Sequence, residues 1–181
     1  MRRKAKVVAL LTVTMAFAGA ATAAAQTAAK SAGLNDAQIA AIVVAANAID
    51  AEIGDLAAER AQHPEVKQFG KTMGTDHRAV NQAAAELVAK LKVTPAENDV
   101  SNKLRADAQA FRKTLLTKSG AEFDRAYIQH EVEYHQAVID AVDQVLIPNA
   151  TNAELKATIV GVRPALVAHL EHAQKLQAGL K

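Results

Sequence analysis

Two segments in the second half of the chain carry an apolar stripe at helical spacing, and each stripe contains one histidine. Steps of three and four residues place side chains on one face of an α-helix. The first stripe consists of Ile128, Val132, His135, Ile139, Val142 and Leu146. The second consists of Leu155, Ile159, Val162, Leu166, His169, Ala173, Leu176 and Leu180. Each face must be buried against other helices, so the chain has to fold as a packed helical assembly.

Similar spacing elsewhere predicts five helices, over 36–62, 65–91, 100–118, 121–147 and 151–180. Asn35 with Gln38, Ser119 with Glu122, and Thr151 with Glu154 have the spacing of capping boxes. No segment alternates like a strand. Four helices of nearly equal length with short connections predict an all-α, antiparallel four-helix bundle, with 100–118 as an additional linking helix. Gly70 and Gly74, one turn apart, predict a close approach of a neighbouring helix.

The first 25 residues have the composition of a secretory signal peptide. A basic start (Arg2, Arg3, Lys4 and Lys6) precedes an apolar run over 7–18 and a stretch of small residues. The run is shorter than the roughly 20 residues of a membrane-spanning helix. We therefore expect a signal peptide over 1–25, a flexible leader over 26–34 and one domain over 35–181. The expected location is periplasmic or secreted, with no transmembrane segment after cleavage.

Composition excludes several classes of function. Without residues 1–25 the chain has 17 basic and 19 acidic residues, so its charge is −2. This charge and the low aromatic content do not fit a nucleic-acid-binding surface. There is no cysteine, which excludes disulfides and thiolate metal sites. No phosphate-binding loop, nucleophile elbow or His-Glu-x-x-His motif occurs. We assign no catalytic residue, and a non-enzymatic role is favoured.

Four polar residues lie near mid-height on the predicted helices: His77, His135, His169 and, at a stripe margin, Glu52. Facing helices of a bundle build metal sites in this way. Three imidazoles and a carboxylate suit a single zinc, iron, copper or manganese ion. Glu131 and His172 are reserve ligands, although Glu131 is also interpreted as part of a solvated flank with Glu133 and Asp140.

A second interpretation of the histidines needs no metal. A lone histidine on an apolar stripe is commonly a core residue that is hydrogen-bonded to a carboxylate, a tyrosine or a backbone carbonyl. His135 with Tyr127 or Glu52 as its partner would fit. The sequence leaves both interpretations open.

Several short motifs form a pattern along the chain. They are Ala51-Glu52-Ile53-Gly54-Asp55-Leu56-Ala57, His63-Pro64-Glu65-Val66-Lys67, Thr75-Asp76-His77, Ser119-Gly120-Ala121-Glu122-Phe123-Asp124-Arg125-Ala126-Tyr127, and Arg163-Pro164 with Leu166 and His169-Leu170. Together they resemble a widespread bacterial family of exported domains of unknown function, often described as outer-membrane or secreted proteins. The resemblance covers residues 34–178 and implies a ferritin-like helical bundle, without an assigned reaction. Di-iron bundles need Glu-x-x-His pairs on two helices. This chain has none, which opposes a di-iron enzyme.

Two functions are consistent with these observations. The first is a non-catalytic envelope or stress-related protein that binds a partner or a small ligand, with homo-oligomer formation left open. The second is a metal-binding or metal-dependent redox protein with a histidine-rich mononuclear site. Convergence of the three imidazoles on one point is the observation that separates them.

Overall fold

Five helices make up the part of the chain that the computed structural model describes, residues 33–180, and this part contains no strand. They are α1 (Asp36–Arg60), α2 (Pro64–Leu91), α3 (Asp99–Leu116), α4 (Gly120–Ala141) and α5 (Ala153–Gly179). Helix α4 continues through a π-helical segment, Val142–Leu146, and a short turn, Ile147–Asn149. The all-α class and all five predicted helices are confirmed. The predicted signal peptide and the leader as far as residue 32 lie outside the described residues.

The helices associate mainly as two pairs, α1 with α2 and α4 with α5, while α3 packs against α1. Glycines bring the backbones of α1 and α2 together. A Cβ atom on Gly70 would lie 2.7 Å from the carbonyl oxygen of Gly54, and a Cβ atom on Gly54 would lie 2.9 Å from the backbone nitrogen of Gly74. The close approach predicted from Gly70 and Gly74 is therefore confirmed.

One of the predicted capping boxes begins α1. The Asn35 side chain accepts a hydrogen bond from the Gln38 backbone at 3.0 Å, and the Gln38 side chain accepts one from the Asn35 backbone at 3.1 Å. The box predicted from Ser119 and Glu122 is wrong, because the Ser119 side chain makes no capping hydrogen bond. Glu122 instead forms an ion pair with Lys118.

The start of α5 also differs from the predicted capping box. Asn152 is the N-cap and accepts hydrogen bonds from the backbone of Glu154 and Leu155. Thr151 is turned toward α1, where its backbone N–H and its hydroxyl donate to the Asp36 carboxylate at 2.9 and 2.6 Å. Thr151 thus joins the segment that precedes α5 to the start of α1, and it does not cap α5.

A buried carboxylate fixes the turn between α1 and α2. Asp124, on α4, accepts hydrogen bonds from the backbone N–H groups of Gln62 at 2.9 Å and His63 at 2.7 Å. Helix starts leave such N–H groups without intrahelical partners. Asp124 therefore satisfies two backbone donors of another element and positions α4 against the α1–α2 turn.

Buried polar side chains gather between two apolar clusters. On α4, Ile128 belongs to one cluster and Ile139 to the other, and His135 lies between them. Asp50, His77 and Glu131 are also buried there. None of the described helices has the length and apolar character needed to cross a membrane.

Candidate metal centre

Three histidines from three helices meet in the core. His77 lies on α2, His135 on α4 and His169 on α5, and their ring centroids are 5.3 to 5.7 Å apart. One nitrogen from each ring lies within 4.8 Å of the other two. His77 and His135 are buried, and the His169 side chain is 12% exposed. The structure therefore brings together the three histidines that were singled out in the sequence.

The carboxylate beside these rings is Asp50 and not Glu52. Glu52 is exposed, because two residues along a helix turn a side chain by about 200°. Asp50 is buried, and its Oδ2 lies 3.2 Å from His77 Nε2 and 3.6 Å from His135 Nε2. In neither contact does the imidazole donate a hydrogen bond to Asp50. Asp50 thus occupies the place that was predicted for Glu52.

A second carboxylate, Glu131, lies behind His135. Its Oε2 is 3.3 Å from His135 Nδ1, and Asp50, Glu131 and His135 form a second potential ligand group. Glu131 is buried, so its interpretation as part of a solvated flank is wrong. The other reserve ligand, His172, lies outside both groups, where it is exposed and packs edge-on against Phe69.

The hydrogen bonds of His77 determine which of its nitrogens carries the proton. His77 Nδ1 lies 2.8 Å from Asn47 Oδ1. The amide nitrogen of Asn47 donates to the Val43 carbonyl at 2.8 Å, which fixes the orientation of the amide. Asn47 Oδ1 can only accept a hydrogen bond, so His77 Nδ1 is the donor. The lone pair of His77 is therefore on Nε2.

The other two rings also have one nitrogen bonded to an oxygen acceptor. His135 Nδ1 donates to the backbone carbonyl of Glu131 at 3.0 Å, and His169 Nε2 donates to the Asp76 carboxylate at 3.1 Å. Their lone pairs are consequently on His135 Nε2 and His169 Nδ1. These two nitrogens, His77 Nε2 and both carboxylate oxygens of Asp50 are buried without a hydrogen-bond partner. With Asp50 ionised, as it would be when it binds a metal ion, the centre presents only acceptors.

In the centre, burial favours the neutral forms of four groups: His77, His169, Asp50 and Glu131. Burial, followed by the neighbouring His135 and His169, lowers the pKa of His77 to about 3. Burial also lowers the pKa of His169. The pKa of Asp50 is raised well above its ordinary value by burial and then by Glu131, and burial raises the pKa of Glu131 to about 8. Neutral imidazole is the form that binds metals.

The arrangement matches that around protein metal sites, where each ligating histidine donates its other N–H to an oxygen. Here the oxygens come from Asn47, the Glu131 carbonyl and Asp76. Tetrahedral ligands at 2.0–2.1 Å from an ion are about 3.3 Å apart. One nitrogen from each ring lies within 4.8 Å of the others, so a bound ion would draw the three side chains together by up to about 1.5 Å.

Comparison with known proteins identifies the family. A family model described as "Domain of unknown function (DUF4142)" matches residues 19–176, so the chain belongs to this family. No curated protein and no solved structure matches the chain. The family description contains no activity, so a function has to be inferred from the chemistry of the centre.

Proposed function

We propose that this DUF4142 protein binds one divalent transition metal ion through His77, His135, His169 and Asp50. The observation that carries the proposal is the set of tautomers. Each imidazole donates one N–H to an oxygen, while its other nitrogen is buried without a hydrogen-bond partner. A buried acceptor without a partner costs about 1–3 kcal/mol. One cation would satisfy all of these acceptors together.

The interpretation of the histidines as hydrogen-bonded core residues accounts for half of this pattern. It explains the ring nitrogens that donate hydrogen bonds to Asn47, the Glu131 carbonyl and Asp76. It does not explain why three lone pairs and the Asp50 carboxyl share one buried region. Zinc, iron, copper and manganese all accept this ligand set. The proposal concerns binding, and no reaction is assigned.

Metal titration of the untagged protein tests the proposal. After treatment with EDTA, the apoprotein is titrated by calorimetry with zinc, iron(II), copper(II) and manganese salts, and bound metal is measured after desalting. We expect about one ion per chain for at least one metal, and loss of that ion in His135→Ala. The control is His172→Ala, which changes an exposed histidine outside the cluster. Absence of stoichiometric binding, or equal binding by the two variants, would contradict the proposal.

We also propose that the protein is exported and acts in the periplasm or outside the cell as an envelope protein. The basic start and apolar run within residues 1–25 support this location. The pairing of α1 with α2 and of α4 with α5 supports a ferritin-like four-helix arrangement with α3 as the linking helix. Mass spectrometry of the periplasmic fraction tests export. We expect a chain shortened by about 25 residues at its start, whereas an uncleaved chain in the cytoplasm would contradict it.

A further inference from the structure

An elongated cavity of about 220 Å³ extends from the histidine cluster through the helical core. On each helix its lining residues run away from the cluster in one direction along the chain: from Asp50 back to Ala40, from His77 to Val88, from His135 to Leu146 and from His169 back to Leu155. Ten residues of helix span about 15 Å. The cavity is therefore longer than it is wide, with the potential metal ligands at one end.

The rest of the cavity is apolar and reaches the surface. Val80 of α2, Val138 of α4 and Val162 of α5 are among the side chains that line it. Val100, at the start of α3, also lines the cavity and is 46% exposed. Ala137 of α4 and Ala165 of α5 also line the cavity and are exposed, so the cavity lies directly beneath the surface on several helices. A molecule with an apolar body could reach the cluster through this part of the core.

The net charge of the metal-loaded centre determines which polar group such a molecule should carry. Asp50 releases its proton when it binds a metal ion. A divalent ion held by three neutral imidazoles and this carboxylate leaves one net positive charge. An uncompensated charge is costly in a buried, apolar region. A ligand with a single negative charge neutralises the centre, whereas a neutral ligand does not and a dianion overcompensates. A carboxylate is also an ordinary ligand of zinc, iron and manganese.

We propose that the cavity binds a single-chain aliphatic carboxylate, with its tail between α1, α2, α4 and α5 and its carboxylate on the metal ion. This inference rests on the proposed metal site. Without the ion, the centre holds no positive charge to offset that of a buried carboxylate, so binding requires metal. A cavity of about 150 Å³ holds benzene. On that scale the 220 Å³ cavity accommodates about nine non-hydrogen atoms, and octanoate is the matching probe.

Calorimetric titration of the metal-loaded full chain with octanoate and butyrate tests the proposal. Each methylene that leaves water should tighten binding about fourfold, so octanoate should bind at least about a hundredfold more tightly than butyrate. Removing the metal with EDTA, or with His135→Ala, should abolish octanoate binding. Chains longer than octanoate should bring no further gain, because octanoate already has ten non-hydrogen atoms against the roughly nine that the cavity holds.

Variants that fill the cavity locate the tail. Val162→Phe and Val80→Phe narrow the cavity from different helices, and each should weaken octanoate binding at least tenfold while metal content stays the same. Val160→Phe is the matched control, since Val160 is exposed on the same helix as Val162 and does not line the cavity. It should bind octanoate like the unchanged chain.

The two proposals fail in different ways. If metal binds stoichiometrically but octanoate does not bind, or binds equally well to the chains with filled cavities, the ligand proposal is refuted and the metal site stands. Octanoate binding that persists in the metal-free protein would refute the role given to the ion. If no metal binds, the failure belongs to the proposed function and is seen in the metal measurement before any carboxylate is added.

Discussion

Replacement of Glu131 by glutamine should change how the stability of the metal-free protein depends on pH. Burial raises the pKa of Glu131 to about 8, against a smaller opposing effect of the nearby Tyr127 hydroxyl. In the unfolded chain this carboxyl titrates near 4.5. Between these values the folded state holds a proton that the unfolded state has released. The contribution of Glu131 to the free energy of unfolding is therefore fully present below pH 4.5 and is lost as the pH rises toward 8.

The expected slope follows from linkage. One proton retained on folding lowers the free energy of unfolding by about 1.4 kcal/mol per pH unit. Glutamine has nearly the same shape and does not titrate, so it removes this slope. The loss accumulated by pH 8 should be about 3 to 5 kcal/mol in the unchanged chain.

Urea unfolding in EDTA at pH 5, 6, 7 and 8 measures this effect. We expect Glu131→Gln to gain stability relative to the unchanged chain by about 1.4 kcal/mol for each pH unit. The control is Glu133→Gln, at an exposed position two residues along the same helix, which should give a nearly constant difference. A constant difference for Glu131→Gln as well would show that Glu131 is already ionised in the folded protein, and the electrostatic reasoning would be refuted.

Urea unfolding also tests two features of the packing. Gly70→Ala should cost more than about 2 kcal/mol, because the new Cβ would meet the Gly54 carbonyl oxygen at 2.7 Å, whereas Gly161→Ala has open space and should gain about 0.5–1 kcal/mol. Equal effects of the two substitutions would contradict the close approach of α1 and α2. Asp124→Ala leaves two backbone N–H groups without their acceptor and should cost about 2–4 kcal/mol. Asp140→Ala, at an exposed position, should change stability by less than about 0.5 kcal/mol. If Asp140→Ala were as destabilising as Asp124→Ala, the stabilising role given to the Asp124 hydrogen bonds would be contradicted.

Helical spacing was sufficient to predict the five helices and to single out His77, His135 and His169. It succeeded because α4 and α5 each bury one stripe, so a histidine within the stripe has to face the core. Mid-height placement on helices of similar length then brought the three rings to one level. The periodicity of apolar residues carries this information directly.

The carboxylates were harder to place, for reasons that differ between the helices. Helix α1 buries small residues on several sides, among them Ala41, Ala45 and Ala51, so no single stripe defines its inner face. The sequence signal that could have identified Asp50 is the spacing of Asn47, Asp50 and Gly54, which lie three and four residues apart and so share one helix face. On α4, Glu131 lies one turn before His135, and its charge favoured an interpretation as a solvated side chain. Only tertiary contacts show that it is buried.

Anomalous diffraction from crystals of the metal-loaded protein tests the metal site most directly, because it locates the ion and its ligand atoms. We predict one peak in the core, about 2.0–2.2 Å from His77 Nε2, His135 Nε2, His169 Nδ1 and an oxygen of Asp50. The opposite ring nitrogens should remain bonded to Asn47, the Glu131 carbonyl and Asp76. A peak at the protein surface, or an ion bound through those opposite nitrogens, would contradict the assigned tautomers and the metal site built on them.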